Sequence, residues 1–447
     1  MIKVFGTDGI RGKANVWPMT PEIALRVGKA VALFFREKNG KQKHKIVIGK
    51  DTRLSGYMLE TALTSGIVSM GVDVLLVGPM PTPAISHSTK SMNCDAGIVI
   101  SASHNPAKDN GIKLFDSNGF KLNEATEQEI EKLILSEKLE SDSDEIGKAT
   151  RIDDAKGRYV EFIKDSIDNL PLNGLKIVLD CANGAGYHIA PDVFSELGAE
   201  TIVLNNKPDG KNINLECGAM HPEVIMKSVK ENRADFGVAL DGDADRLIVC
   251  DENSALVDGD AIIAIFARDL KEKGKLESGK VVGTVMSNLG LIKSLEKIGI
   301  ELIPTKVGDK FVIEEMRKQS LELGGEQSGH IIFREFSSTG DGILCAVQLA
   351  RVAKETGKKL SELASIVETF PQKLVNVEVR EKKPLMEIPS VKKAVEEAEK
   401  ELEGKGRILV RYSGTENKAR VMVEAESADL LSLTDKVAEA IESELGK

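Results

Sequence analysis

A chain of 447 residues, 41% of them hydrophobic and 29% charged, has the make-up of a soluble globular protein of roughly three or four domains. The formal net charge of −10 and pI near 5.4 exclude nucleic acid and an anionic membrane as principal partners, so any anion it binds must meet locally gathered positive charge. No run approaches the roughly 18 apolar residues of a membrane span, the start at Met1 lacks a charged-then-apolar leader, and Cys94, Cys181, Cys217, Cys250 and Cys345 contain no C-x-x-C pair, so a cytoplasmic protein with reduced core thiols is expected.

The first predicted element is a helix. Thr20 supplies an N-cap hydroxyl, Pro21 suits the first helical position, and Ile23, Val27, Ala30, Val31 and Phe34 form an apolar stripe that reads as core. A buried-strand pattern follows at Lys45–Ile48, then a turn, a helical stretch and a second strand from Gly71. A third strand, Asp95–Ile100, runs into Ser101-Ala102-Ser103-His104-Asn105-Pro106.

The same succession then recurs twice. Strands at Lys176–Leu179 and from Gly198 precede Asp235–Leu240, which runs into Asp241-Gly242-Asp243-Ala244-Asp245-Arg246. Strands at Lys280–Gly283 and from Gly299 precede Leu321–Leu323, which runs into Gly324-Gly325-Glu326-Gln327-Ser328-Gly329-His330. Strands alternating with helices predict three similar α/β domains with mixed or mostly parallel sheets. Open α/β sheets bind ligands at strand carboxyl ends, so the three loops are expected to converge on one central cleft.

The polar stretch Ser136–Ile152 and the turn Glu252–Asp258 suggest boundaries, giving domains 1–152, 153–255 and 256–370. Residues 371–447 read as a smaller α+β domain with strands at Leu374–Val379, Ile408–Val410 and Ala419–Glu424, and helices at Val391–Leu402 and Leu430–Leu445.

Asp241, Asp243 and Asp245 repel one another unless a divalent cation relieves them, and hard oxygen ligands suit Mg²⁺. A solvated acidic loop is the alternative, but a buried strand feeds this one. An EF-hand would need glycine where Arg246 stands, and an aspartyl-phosphate phosphatase would need an uncharged residue at Asp245. Arg246 suits a phosphate that meets the metal. Ser103, with His104, Lys108 and Lys113 near it in sequence, is a candidate phosphate carrier, although most loop serines are only polar. Glu326, Gln327, Ser328 and His330 can exchange hydrogen bonds with sugar hydroxyls, or simply form a polar turn. Arg411, Ser413, Gly414, Thr415 and Arg420 can form a phosphate nest, or a glycine hairpin. The stretch Gly274–Lys280 mimics a P-loop, but Val281 replaces the needed hydroxyl and a strand follows.

Together the four loops, in this order, resemble those of the α-D-phosphohexomutase family, and the resemblance runs from Phe5-Gly6-Thr7-Asp8-Gly9-Ile10-Arg11-Gly12 to the Arg411 loop. It implies three similar domains and a smaller fourth, with Ser103 phosphorylated. Asp241, Asp243 and Asp245 would then hold Mg²⁺ with the Ser103 phosphate. It also implies that Glu326 and Ser328 contact sugar hydroxyls, that Arg411, Ser413, Gly414 and Thr415 grip the non-reacting phosphate, and that Arg11, His104 and Lys113 lie near the reacting centre.

The implied reaction interconverts a hexosamine 6-phosphate and 1-phosphate through a bound 1,6-bisphosphate, which also serves as activator, and feeds nucleotide-sugar synthesis. Gln327, Asn212-Ile213-Asn214, Cys217-Gly218 and His221-Pro222-Glu223 resemble the glucosamine-specific branch. Departures are Tyr412 and Asn417 in place of common prolines, Ala244 in place of glycine, and Lys310 in place of arginine. A glucose or mannose phosphate mutase and a non-catalytic sugar-phosphate sensor are the alternatives. By analogy a homodimer is expected.

Overall fold

The computed structural model describes residues 3–6, 8–39, 43–137, 139–140, 144–413 and 417–446. The first sheet contains β1 (Ile10–Lys13), β2 (Lys45–Lys50), β3 (Asp73–Pro79), β4 (Ala96–Ile100), β5 (Asp109–Asp116) and β6 (Ala149–Arg151), in the order β1-β5-β4-β2-β3-β6. The second contains β7 (Lys176–Asp180), β8 (Glu200–Leu204), β9 (Phe236–Leu240), β10 (Leu247–Asp251) and β11 (Leu256–Val257), in the order β11-β10-β9-β7-β8. The third contains β12 (Lys280–Thr284), β13 (Glu301–Thr305), β14 (Leu323–Gly325) and β15 (Ile331–Phe333), in the order β13-β12-β14-β15.

One pattern underlies all three. The first strand of each repeat is central, the second and third flank it, and a fourth runs antiparallel to the third. Each candidate loop therefore closes a hairpin, β4–β5, β9–β10 or β14–β15. Strands β4 and β9 are buried along their whole length, as strands covered on both faces must be. The predicted stripe Val27, Ala30, Val31 and Phe34 lies in the core beside Ile46, Ile48, Ile98 and Ile100, and Thr20 Oγ1 accepts from the Ile23 N–H at 3.4 Å.

Two short elements differ from the expectation of polar boundary segments. Within Ser136–Ile152, β6 returns to pair in parallel with β3, and the Asp73 carboxylate accepts from the Lys148 N–H at 2.7 Å. Leu256–Val257 likewise pairs with β10. Strands of two or three residues are too short to display an alternating pattern in sequence.

The chain packs as two compact units, Met1–Met286 with Leu302–Ile366, and Ser287–Glu301 with Val367–Lys447. In the second unit β16 (Gln372–Glu378), β17 (Gly406–Tyr412) and β18 (Lys418–Ala425) form an antiparallel sheet in the order β16-β18-β17. Helices Pro389–Leu402 and Leu433–Leu445 supply Val391, Val395, Val437 and Ile441 to its core. The helix Leu289–Lys297, which continues the third repeat in sequence, belongs to this unit. Its N-cap Asn288 donates to Phe370 O and to Glu424 Oε1, both at 3.1 Å, and Arg407 answers the buried Glu424 at 2.7 Å.

All five cysteines are buried. Burial, with the charge of Asp180, pushes the Cys217 thiol up to about 12, and burial does the same for Cys250. Among the described residues no helix is long and apolar enough to cross a membrane.

The helices Thr82–Ser91 and Ala155–Asp165 meet where His87 stacks on Phe162, with ring centroids 4.0 Å apart. Burial, aided by Lys90, lowers the His87 pKa to about 4. A depressed histidine means that the unfolded chain binds the proton first. This contribution is present above the unfolded pKa of about 6.5 and is lost as pH falls toward 4, by at most about 3 kcal/mol. Denaturant unfolding at pH 7 and pH 4.5 should show a smaller acid loss for His87→Phe than for the wild type; equal losses would contradict the assignment.

Candidate active site

The loop after β4 places Ser103 at φ 52°, a left-handed conformation uncommon for a residue with a side chain, and buries it. Its hydroxyl donates to Asp241 Oδ2 at 2.6 Å, and His104 Nδ1 lies 3.3 Å from Ser103 Oγ. The Ser103 N–H donates to Ser101 Oγ at 3.0 Å, and Ser101 donates in turn to Asp51 at 2.6 Å. Burial lowers the His104 pKa, helped by Arg246 and Arg11.

Asp241, Asp243 and Asp245 are all buried, with one oxygen of each lying within 4.8 Å of the others. Lys113, carried on β5 opposite Val99, reaches Asp243 Oδ2 at 2.7 Å and Asp245 Oδ2 at 3.3 Å. Thr82 Oγ1 also donates to Asp243 Oδ2, at 2.6 Å. Asp243 Oδ1 and Asp245 Oδ1 are buried without a hydrogen-bond partner. A cluster of hard oxygens that retains orphaned acceptors fits a divalent cation.

The electrostatics divide the three acids. Burial, then Asp243 and Asp245, raise the Asp241 pKa well above the usual carboxylate range. For Asp245 burial pushes the same way, but Lys113, His330 and Arg246 prevail and hold it well below that range. Burial works against the charge on Lys113 and Arg246, and the carboxylates overcome it, so both are held more firmly protonated than usual.

The metal loop has little room. Ala244 sits at φ 55°, in the left-handed region. A Cβ built on Gly242 would lie 2.6 Å from Ser103 O and 2.7 Å from Asn214 Nδ2.

The loop after β14 meets the metal loop backbone to backbone. Leu247 N–H donates to Gly329 O at 3.2 Å, and a Cβ on Gly329 would lie 1.8 Å from Leu247 O. Glu326 Oε1 accepts from the Gly308 N–H at 3.0 Å, while Ser328 is exposed. His330 is buried. Its Nε2 accepts from the Gly340 N–H at 2.9 Å, which in the neutral ring turns Nδ1–H toward Asp245, 3.7 Å away. Asp8 pairs with Arg11 and accepts from Lys121 at 2.7 Å, and Lys121 also pairs with Asp309. Burial opposes the Arg11 charge, but Asp8 and Asp243 raise its pKa. Lys310 Nζ lies 5.1 Å from the Phe311 ring centre.

The first compact unit thus brings together Ser103, His104, Lys113, Arg11, Arg246, the three aspartates, Glu326 and His330. Sequence reasoning missed Asp51, Arg53, Thr82 and Lys121. Lys50-Asp51-Thr52-Arg53 at the end of a buried strand was the available signal, since polar residues there must find buried partners.

In the second unit, Arg411 and Arg420 face each other in the register of β17 and β18. Burial and the charge of Arg420 lower the Arg411 pKa. Ser413 N–H donates to Lys418 O at 2.8 Å, and Ser413 O accepts from Lys382 at 2.7 Å. Gly414 and Thr415 lie outside the described residues.

Comparison with known proteins finds four matches along the chain, all within phosphoglucomutase/phosphomannomutase. They are alpha/beta/alpha domain I over residues 2–141, domain II over 157–254, domain III over 258–370 and the C-terminal domain over 374–440. A phosphoglucosamine mutase of Geobacter sp. strain M21 is 54% identical over 451 residues, covering 100% of this chain and 99% of its own. A crystal structure of a phosphoglucomutase/phosphomannomutase family protein from Burkholderia thailandensis superposes with a TM-score of 0.84 at 25% identity, covering 99% and 98% of the two chains. The Aspergillus fumigatus N-acetylphosphoglucosamine mutase, solved in complex with GlcNAc-6P and magnesium, shares the fold with a TM-score of 0.68 at 19% identity, covering 99% and 96%.

Gly242→Ala should displace the Ser103 carbonyl and the metal loop together. Calorimetric titration with Mg²⁺ is expected to show about tenfold weaker binding, the cost typical of disturbing the groups behind a metal's ligands. Unaltered Mg²⁺ affinity would show that the close approach is irrelevant to the cation site.

Proposed function

The chain belongs to the phosphoglucomutase/phosphomannomutase family of α-D-phosphohexomutases, and we propose that it interconverts glucosamine 6-phosphate and glucosamine 1-phosphate through a phosphorylated Ser103. The observation that carries this reading is the Ser103 hydroxyl, 2.6 Å from Asp241 inside a buried triad that Lys113 closes. Full-length identity of 54% to a phosphoglucosamine mutase supports the choice of sugar.

Asp241, Asp243, Asp245 and the Ser103 phosphate would hold Mg²⁺, which when bound neutralises charge on the transferring group. In the first transfer the bond from phosphorus to Ser103 Oγ breaks and a bond to the sugar O1 forms. The O1 proton passes to Oγ, giving the 1,6-bisphosphate. After the intermediate turns end for end, the bond from phosphorus to O6 breaks as a bond to Ser103 Oγ forms, the Oγ proton passes to O6, and glucosamine 1-phosphate is released. His104, within 3.3 Å of Oγ, and Lys113, on Asp243 and Asp245, are the candidates for moving that proton. Arg11 and Arg246 steady the equatorial oxygens.

Glu326 and Ser328 would bind sugar hydroxyls, whereas we assign His330 to orienting Asp245, because it is buried, its Nε2 accepts from the Gly340 N–H and its Nδ1 lies 3.7 Å from that carboxylate. Arg411, Ser413, Gly414, Thr415 and Arg420 would grip the other phosphate. A hexosamine or hexose 1,6-bisphosphate would reload Ser103 as activator. Cytoplasmic action accords with the five buried thiols, and a homodimer remains an analogy to bacterial relatives.

Intact-mass analysis should find part of the protein one phosphate heavier, and Ser103→Ala should lose both the adduct and turnover; an active Ser103→Ala protein would reject the mechanism. In a panel of glucosamine, glucose and mannose 6-phosphates with Mg²⁺ and bisphosphate, glucosamine 6-phosphate should have the highest kcat/KM, and faster turnover of a neutral sugar would overturn the specificity. Asp243→Asn should lose activity that added Mg²⁺ restores only in part, while full wild-type rates in chelator would contradict the metal's role.

A further inference from the structure

Ser103 holds a conformation that its backbone alone would not choose. A non-glycine residue in the left-handed region is strained, and the surroundings must enforce it. At φ 52° Ser103 could relax by rotating its flanking peptides, which would swing its carbonyl and carry the hydroxyl away from Asp241.

Two buried side chains oppose that movement by gripping the same pair of carbonyls. Arg53, fully buried, donates from Nη2 to Ser103 O at 3.1 Å and also to Asn105 O. Asn214 donates from Nδ2 to Ser103 O at 2.8 Å and to Asn105 O at 3.0 Å.

The two donors come from different places. Arg53 follows β2 of the first repeat and pairs with Asp51, which through Ser101 also holds the Ser103 N–H, so the Ser103 peptide groups close a buried circuit. Asn214 lies between β8 and β9 of the repeat that carries the aspartates. Its own N–H donates to Ala182 O at 2.9 Å, and its amide is within reach of the Gly242 backbone.

The Asn212-Ile213-Asn214 motif therefore has a physical task beyond marking a branch of the family. Granting the reading that Ser103 carries the phosphoryl group, we propose that Asn214, with Arg53, is a positioning residue that fixes the Ser103 carbonyl to the body bearing the metal ligands, so that Oγ stays aimed through both transfers. An amide suits the task. It supplies two hydrogens for two carbonyl oxygens and adds no charge beside the triad.

The test uses the full chain with Mg²⁺, glucosamine 6-phosphate and a bisphosphate activator. Asn214→Gly keeps the φ of 57° accessible while removing the amide, and Asn214→Asp keeps the shape but turns the donor into an acceptor facing two carbonyls. Both should lower kcat about ten- to a hundredfold, the scale of a misplacement near 1 Å, with KM for the sugar phosphate within about twofold. The Asn214→Asp deficit should shrink as pH falls and the introduced carboxyl gains a proton to donate, a dependence that a merely structural role would not produce.

Wild-type kcat in both variants would overturn the proposal, as would a loss of rate that simply tracks a fall in Tm and is insensitive to pH. The earlier reading fails separately, through an active Ser103→Ala protein. Should either variant fold poorly, the rate at which the bisphosphate loads phosphate onto Ser103 in its folded fraction, followed by intact mass, decides in the same direction.

Discussion

Three carboxylates enclosed together are the constraint around which this molecule is arranged. At separations under 4.8 Å each pair repels by about 3–4 kcal/mol at the effective dielectric of a protein site, and burial adds the cost of lost hydration. Lys113, Arg246 and Arg11 answer part of this charge. Lys113 stands on β5, held between β1 and β4, so it cannot withdraw its charge by moving aside. The residual negative charge and the orphaned oxygens of Asp243 and Asp245 set the demand for a divalent cation. Ser103 is poised at the edge of that demand, with its hydroxyl already on Asp241.

The threefold repeat explains how such different chemistry is brought to one place. Each hairpin has the same position in its sheet, so the serine loop, the acidic loop and the Gly324–His330 loop share a common approach. The repeats are then locked by contacts too close for side chains. Gly329 lies on Leu247 O, Gly242 on Ser103 O, and Gly340 within 2.6 Å of Asp245 O when a Cβ is built on it. Backbone pressed on backbone transmits position with less slack than a pair of flexible side chains, which is what in-line transfer between a serine and a sugar requires.

Much of this was legible in the residues. The alternation of buried strands and helices, the stripe beginning at Ile23, the acidic loop and the serine loop all declare themselves locally, because each is a short-range pattern. What stayed hidden depends on long-range pairing. β6 and β11 are too short to carry a period, and nothing local marks Arg53 or Thr82 as partners of Asn105 and Asp243. Asn214 was visible only as part of a motif, and nothing near His330 in sequence marks Gly340 and Asp245 as its neighbours. The helix Leu289–Lys297 follows its repeat in sequence, yet Asn288 and Glu424 tie it to the C-terminal sheet, a link that no window of neighbouring residues contains. The φ of 55° at Ala244 is likewise a property of the folded loop that no local pattern carries.

The sulfur chemistry of the chain is silent in the native fold. Every thiol is enclosed, and burial keeps Cys217 and Cys250 protonated far above neutrality, so electrophiles and peroxides meet no reactive thiolate at the surface. A single cysteine introduced at an exposed position would consequently be the one site open to a fluorophore or spin label. Motions of either compact unit could then be followed without first stripping the native residues from the chain.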